Sequence, residues 1–407
     1  MTLSFRPYQD SDIDLLQSCI MDWRKQSPEG TYCHPGDIPH RLYNGNMGVV
    51  PIGDITRIYY QSDTIAALLL CYPRFGGIDF FINPDFRENY ELFVPILEEG
   101  YQIVRNYLDN NDKSDKQVYV DCYHRDTARK ALLTTAGFYE EENAINLTRR
   151  TLDNLPEVKL PEDFSIRSVT IDDAEQLANV HNKSFSPKWT ADIYRNKVML
   201  KPGYSPEREF VVVAPDGTFA AFTVTWLDTT NKVGLFEPVG THEDYRRMGL
   251  ARALMTYVMH EMRDKGMTEA EVCYATDNPA SKALYTGQGF EICHQIYDWK
   301  YKQQEEISTY LGEWYGEELK DCEKFRDVEV VIPVPLHKRR LRERGYNQVN
   351  GFGKAIASNI NASFEEHILI RERNVKSQTF KDKTTRWKDL HTIFRVNDVT
   401  RLKGKHI

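Results

Sequence analysis

The 407-residue chain carries seven cysteines with no C-x-x-C pair and no histidine cluster among them. That spacing argues against a zinc site or a disulfide framework and fits a reducing compartment. Long apolar runs are absent as well. The longest, Ile65 to Tyr72, has strand length and falls far short of the ~20 residues a membrane helix needs. Met1 to Pro7 has no apolar core, and Asp10, Asp12 and Asp14 follow at once, which is no secretory pattern. The expectation is a soluble, cytoplasmic protein with no metal and no membrane association. Basic residues are scarce before residue 301: residues 1–300 hold 31 Lys+Arg against 44 Asp+Glu, a net of −13. Residues 301–407 hold 21 against 16, a net of +5. An acidic first part is a poor nucleic-acid surface. It serves solubility, or it draws in a cationic amine; both readings stand.

What is present includes a repeat. Ser4-Phe5-Arg6 with Asp12 recurs as Ser165-Ile166-Arg167 with Asp173. A strand running into a polar turn recurs at Phe80 to Arg87 and at Pro238 to Arg246. A helix closed by Gly-Phe recurs at Ala131 to Phe138 and at Ala283 to Phe290. Three matches in order at a nearly constant offset predict duplicated domains. The division expected is 1–150, a linker at 151–162 marked by Leu155-Pro156 and Leu160-Pro161, a second copy at 163–300, and a separate 301–407 segment. In the second copy, strands are predicted over 209–214, 219–226, 232–241 and 269–275, with a closing strand over 290–300. Helices are predicted from Leu250 to Met262 and from Pro279 to Gln288.

Arg246-Arg247-Met248-Gly249-Leu250-Ala251 sits where a strand passes into a helix. Glycine admits close backbone approach, and the free N–H groups of a first helical turn form an anion site. Arg246 and Arg247 add positive charge. Asn278 opens the run N-P-A-S-K-A-L-Y-T-G-Q-G-F, which ends at Phe290. Together these resemble the GNAT superfamily of acetyl-CoA-dependent transferases, whose motifs read (Q/R)-x-x-G-x-(G/A) and N-x-x-A-x-x-x-Y-x-x-x-G-F. Both motifs are matched in full; the resemblance covers about 163–300 well and about 1–150 only in layout.

It implies an α/β (α+β) fold: two tandem domains with mostly antiparallel mixed sheets flanked by helices. It implies that the N–H groups of Arg247, Met248, Gly249, Leu250 and Ala251 hold the pyrophosphate of acetyl-CoA. Val239 and Thr241 would pair with the pantetheine arm, the Val239 N–H polarising the thioester carbonyl. Asn278 would fix the neighbouring loop, Tyr285 would protonate the departing thiolate, and Glu237 is the candidate base, acting directly or through water. His181, His242 and His260 are read as surface or satisfied core residues, and Cys273 as a buried core thiol. The activity implied is N-acetyl transfer to a primary amine of a small molecule or peptide, by direct attack in a ternary complex. A non-catalytic acyl-CoA sensor is the alternative. Oligomeric state is not legible.

In the first copy, Tyr90 stands where Gly249 stands in the second, and Leu133 where Tyr285 stands. The expectation is a silent, substrate-shaping half, a layout similar to the mycothiol synthase family. Residues 301–407 differ again. Val331 to Gln348, with Arg371, Arg373, Gln378, Arg386 and Phe394, resembles the ComF family of phosphoribosyltransferase-fold proteins linked to DNA uptake. The implied fold is an incomplete Rossmann-like fragment, since the acidic phosphate-binding loop of that family has no counterpart here. A ComF-type competence accessory carrying a fused transferase is therefore a further alternative. The basic run Lys338 to Arg344 reads as a solvated loop or a nucleic-acid contact.

Overall fold

In the computed structural model, residues 3–27, 31–111, 113, 117–185, 188–301, 304–337, 347, 349–372, 393–397 and 400–406 are described, without the side chains of 88–90, 143 and 304–307. The chain divides into a unit of residues Met1–Tyr301 and a unit of Lys302–Ile407. The first unit opens with β1 (Ser4–Pro7), α1 (Ile13–Gln26), β2 (Thr56–Gln61), β3 (Thr64–Tyr72) and β4 (Gly77–Ile82). It continues with α2 (Val94–Asn110), β5 (Tyr119–Tyr123), α3 (Thr127–Thr135) and β6 (Phe138–Thr151). The second half repeats this as β7 (Ser165–Ser168), α4 (Ala174–Phe185), β8 (Glu209–Val213), β9 (Phe219–Asp228) and β10 (Val233–Thr241). Then come α5 (Leu250–Asp264), β11 (Glu269–Ala275), α6 (Pro279–Thr286) and β12 (Glu291–Tyr301).

The repeated residues do the same work twice. Arg6 lies 2.6 Å from Asp12, and Arg167 lies 2.8 Å from Asp173. Each aspartate also accepts a backbone N–H, from Gln9 and from Thr170. That bond satisfies one donor of the turn that opens the helix. Asp126 and Asn278 each cap a helix, accepting the N–H of Arg129 at 3.0 Å and of Ser281 at 3.1 Å.

All twelve strands form one sheet, in the order β1-β2-β3-β4-β5-β12-β6-β11-β10-β9-β8-β7. The β4–β5 and β10–β11 pairs are parallel and the remaining neighbours antiparallel. The last strands of the two halves are exchanged. β12 lies between β5 and β6, and β6 lies between β12 and β11. Trp299 of β12 is 6% exposed in the core of the first half, beside Leu97, Leu132 and Phe138. The strand expected to close the second half's sheet thus completes the first, and β6, which ends at Thr151 beside the expected boundary at 150, is shared by both. Nor is 151–162 a free tether. Leu152 is buried with the second half's core, its N–H donates to the Thr268 carbonyl, and Leu155 and Leu160 pack on the same core.

In the second unit, α7 (Gln304–Lys320) packs on α8 (Val349–Asn359), with Tyr315 stacked on Phe352 at 6.1 Å. β13 (Val330–Val331) runs parallel to β14 (Ser363–Phe364), and β15 (Leu369–Arg371) antiparallel to β16 (Phe394–Val396). The run Lys338–Arg344 and the ComF-pattern residues Gln348, Arg373, Gln378 and Arg386 lie outside the described residues. Among the described residues no helix is long and apolar enough to cross a membrane, and the seven cysteines are free thiols.

Candidate active site

β10 and β11 pair from Val233 to Phe236 against Glu269 to Val272 and then part. Past that point the inner edge of β10 is open. Against β9, β10 carries a bulge between Phe236 and Val239. Side chains of β9 hold it: Trp226 Nε1 donates to the Glu237 carbonyl at 3.3 Å and Thr223 Oγ1 to the Pro238 carbonyl at 3.0 Å. Register fixes where the β10 N–H groups point. His242 N–H donates to Ala220 O at 3.0 Å. Alternation along an antiparallel ladder makes Gly240–Phe222 a hydrogen-bonded pair and leaves Val239 and Thr241 at non-bonded positions. The N–H groups of Val239 and Thr241 therefore face the open side, where an extended chain could add as a strand.

At the end of β10 the chain passes through left-handed backbone at Arg247 (φ 70°) and Gly249 (φ 80°) into α5. Gly249 caps the helix with no side chain, and the first helical bond runs from the Ala253 N–H to the Gly249 carbonyl. The N–H groups of Leu250, Ala251 and Arg252 precede that bond. A Cβ on Gly249 would meet no protein atom within 4 Å, so the space belongs to a ligand or to solvent. Arg246, Arg247 and Met248 are exposed around this cradle. The Arg246 guanidinium reaches the carbonyls of Lys183 and Ser184 at the end of α4, at 3.5 and 3.4 Å. These residues suit a pyrophosphate.

Tyr285 is 6% exposed, packed at ring distances of 5.9 Å from Tyr274 and 6.2 Å from Phe290. Burial raises its phenol pKa and the Glu237 carboxylate raises it further, which keeps the proton on. Asn278, as the cap of α6, fixes the start of the helix that carries Tyr285.

Glu237 faces a chamber of about 400 Å³ between the halves. The floor is one face of β5, β12, β6, β11 and β10; the roof is His34 to Gly45, from the first half. Burial, aided by the carboxylate of Asp37 and opposed by Arg41, raises Glu237 to about 7. His40 Nε2 lies 3.7 Å from Glu237 Oε1, and burial lowers the imidazole to about 3, so it is neutral. Cys273 packs against the buried Tyr123–Leu147–Ile296 cluster, as expected of a core thiol, and also lines this chamber. Burial drives its thiol well above the usual range, so it is a poor nucleophile. The three histidines have other partners. His181 Nε2 meets the Tyr194 hydroxyl at 3.1 Å, His242 Nδ1 accepts the Asp244 N–H, and His260 meets the Pro156 carbonyl.

The corresponding cleft of the first half is filled. β4 and β5 pair only at Gly77–Tyr119 and Ile78–Val120 before parting. In the gap, the Arg129 guanidinium bonds the Phe80 carbonyl on one strand and the Asp121 carbonyl, at 2.9 Å, on the other. Arg87, the counterpart of Arg246, is bound to Asp126. Sequence reasoning missed the Arg129 plug and all the chamber residues of the first half. The signal for the plug was the aligned pair Arg129 and Ser281.

The fold and this cleft define an acyl-group transferase. Residues 174–290 match the acetyltransferase (GNAT) family, a stretch that contains the cradle, Asn278 and Tyr285. Over this segment the chain is similar to that family, and the enzyme class is N-acetyltransferase. The mycothiol acetyltransferase of Segniliparus rotundus is 24% identical over 204 residues, 47% of this chain and 76% of that protein. The mycothiol acetyltransferase of Streptomyces coelicolor is 28% identical over 149 residues; the match covers 35% of this chain and 47% of that protein, about half its length. A GCN5-related N-acetyltransferase from Sphaerobacter thermophilus shares the fold, with TM-score 0.50 and 18% identity over 73% of this chain and 95% of that one.

Proposed function

We propose that the chain transfers acetyl from acetyl-CoA to a primary amine of a small molecule or peptide held in the chamber between the halves. The observation that carries this reading is the placing of Glu237, a carboxyl that lines the chamber two residues before the outward N–H of Val239. In the reaction, the N–H groups from Arg247 to Ala251 hold the pyrophosphate, and Val239 and Thr241 pair with the pantetheine arm. The Val239 N–H polarises the thioester carbonyl. Glu237 takes the amine proton, the free amine attacks the carbonyl carbon directly, and Tyr285 gives its proton to the leaving thiolate. The filled cleft of the first half supports one acetyl-CoA per chain, with that half shaping the acceptor site. The mycothiol acetyltransferase relatives support an acceptor of metabolite size. Free cysteines support a cytoplasmic address.

The test is release of CoA thiol across a panel of amines, with Gly249→Tyr as control. Turnover in the parent and none in the control is the expected result. Acetyl-CoA binding without turnover of any amine would favour the sensor instead. For residues 301–407 the reading is a ComF-like doubly wound segment; the parallel pairing of β13 and β14 around α8 supports it. DNA binding by the full chain that weakens steeply between 50 and about 200 mM salt would favour a competence accessory.

A further inference from the structure

The charges on the chamber floor are distributed in a way the transfer reaction does not use. Asp121 of β5 and Asp298 of β12 stand directly opposite each other across the strand pair, both lining the cavity. Like charges at a cross-strand position destabilise a sheet. Little nearby offsets them. Arg41 reaches Asp121 at 3.4 Å, but its Nη1 is already on both oxygens of Asp79 at 2.6 and 2.5 Å. Lys300 is drawn to Glu141 at 3.4 Å. Asp298 has no ion pair among the described residues. Burial raises both carboxyls, Asp121 to about 6, and the charge of Asp298 adds to the effect on Asp121.

Two features give this pair a ligand. The cavity that holds it is the one Glu237 faces, and beside the pair its lining includes the rings of Tyr119 and Tyr123, which flank Asp121 on β5, surfaces that accept organic cations. The carboxylates are also spread out: among the described residues no three acidic, histidine or cysteine side chains gather closely enough to hold a metal. β12 and β10 are separated by β6 and β11, so the axes carrying Asp298 and Glu237 stand about 14 Å apart at ~4.8 Å per strand. A compact cation cannot serve both ends of such a floor, but one long molecule can.

We propose that the acceptor is an elongated amine with two cationic ends, a long diamine or polyamine, whose reacting nitrogen meets Glu237 while its far ammonium sits on the Asp121–Asp298 pair. This rests on the acceptor site argued above. The cation would relieve the repulsion between the two carboxylates and would set the substrate's direction in the chamber.

The test is calorimetric binding to the full chain with CoA present, comparing 1,8-diaminooctane with octylamine. The diamine should bind roughly tenfold more tightly, the effect of one charge-assisted contact. Asp298→Asn should remove that advantage and raise the melting temperature slightly, since it ends a like-charge pair. Asp121→Asn is the second variant and should do the same to binding. Equal binding of the two amines, no diamine binding, or a diamine preference that survives both variants would overturn the proposal. The function has its own readout. A diamine bound through Asp298 with no thiol release counts against acetyl transfer and leaves the charge pair standing. Equal acetylation of both amines in parent and variants keeps the transfer and overturns the pair.

Discussion

His40 Nε2 lies 3.7 Å from Oε1 of Glu237, so the first half supplies a close neighbour to a carboxylate of the second. The two groups titrate far apart, burial holding the imidazole at about 3 and the carboxyl at about 7. Only the deprotonated carboxylate can take the amine's proton. Turnover at low substrate should therefore rise with pH through about 7, and His40, neutral throughout that range, cannot produce the limb. Glu237→Gln should lower kcat/KM by about 10²-fold or more and abolish the limb. A pH–rate profile of parent and variant checks this; a limb near 7 that persists in the variant would assign the base elsewhere.

Tyr285 is buried between Tyr274 and Phe290, and its hydroxyl keeps its proton at all working pH values. Tyr285→Phe retains both ring contacts and removes only the hydroxyl. We expect kcat to fall by about 10²-fold while acetyl-CoA affinity changes little. Single-turnover kinetics with a parallel binding titration separates the two quantities. Unchanged kcat would reduce Tyr285 to a packing residue.

Gly249 and Arg129 explain together why one half should bind acetyl-CoA and the other should not. Gly249 sits at φ 80° with empty space where a side chain would go. Arg129 occupies the gap between β4 and β5 that Ser281's half leaves open. Gly249→Tyr adds left-handed strain of about 1–2 kcal/mol and places a ring in the phosphate space. Calorimetry should give one acetyl-CoA per parent chain and none for the variant. A second bound molecule, or one that survives the substitution, would mean that the first half's cleft opens.

Much of this half-by-half design was legible in the sequence, because it is local. A glycine at a helix entry, an Asn-Pro helix start and a repeated Arg–Asp pair each specify geometry within a few residues. What escaped was non-local. β6 and β12 have ordinary strand patterns, and nothing in Phe138–Thr151 or Glu291–Tyr301 says that their partners belong to the opposite half. Without that exchange, Asp121 and Asp298 are unrelated surface acids and Cys273 is one more core thiol. The chamber between the halves exists only after the strands have traded places, so its residues carry no shared motif.

The same exchange buries charge between the halves, and acid should expose it. Arg24 of α1 is 9% exposed, 3.0 Å from Glu271 of β11 and 3.6 Å from Asp228 of β9; Arg149 of β6 also reaches Glu271 at 3.0 Å. These arginines outweigh the cost of burial and lower Glu271 to about 2. Removing one partner of such a pair strands a buried charge, so Arg24→Met should destabilise the 1–301 unit by about 3–5 kcal/mol at neutral pH. A carboxyl with a depressed folded pKa contributes fully above its unfolded value of 4.5 and loses that contribution as pH falls toward about 2. The gap between parent and variant should therefore narrow as urea unfolding is repeated from pH 7 down to about 3. A gap independent of pH would show that Arg24 acts through packing alone.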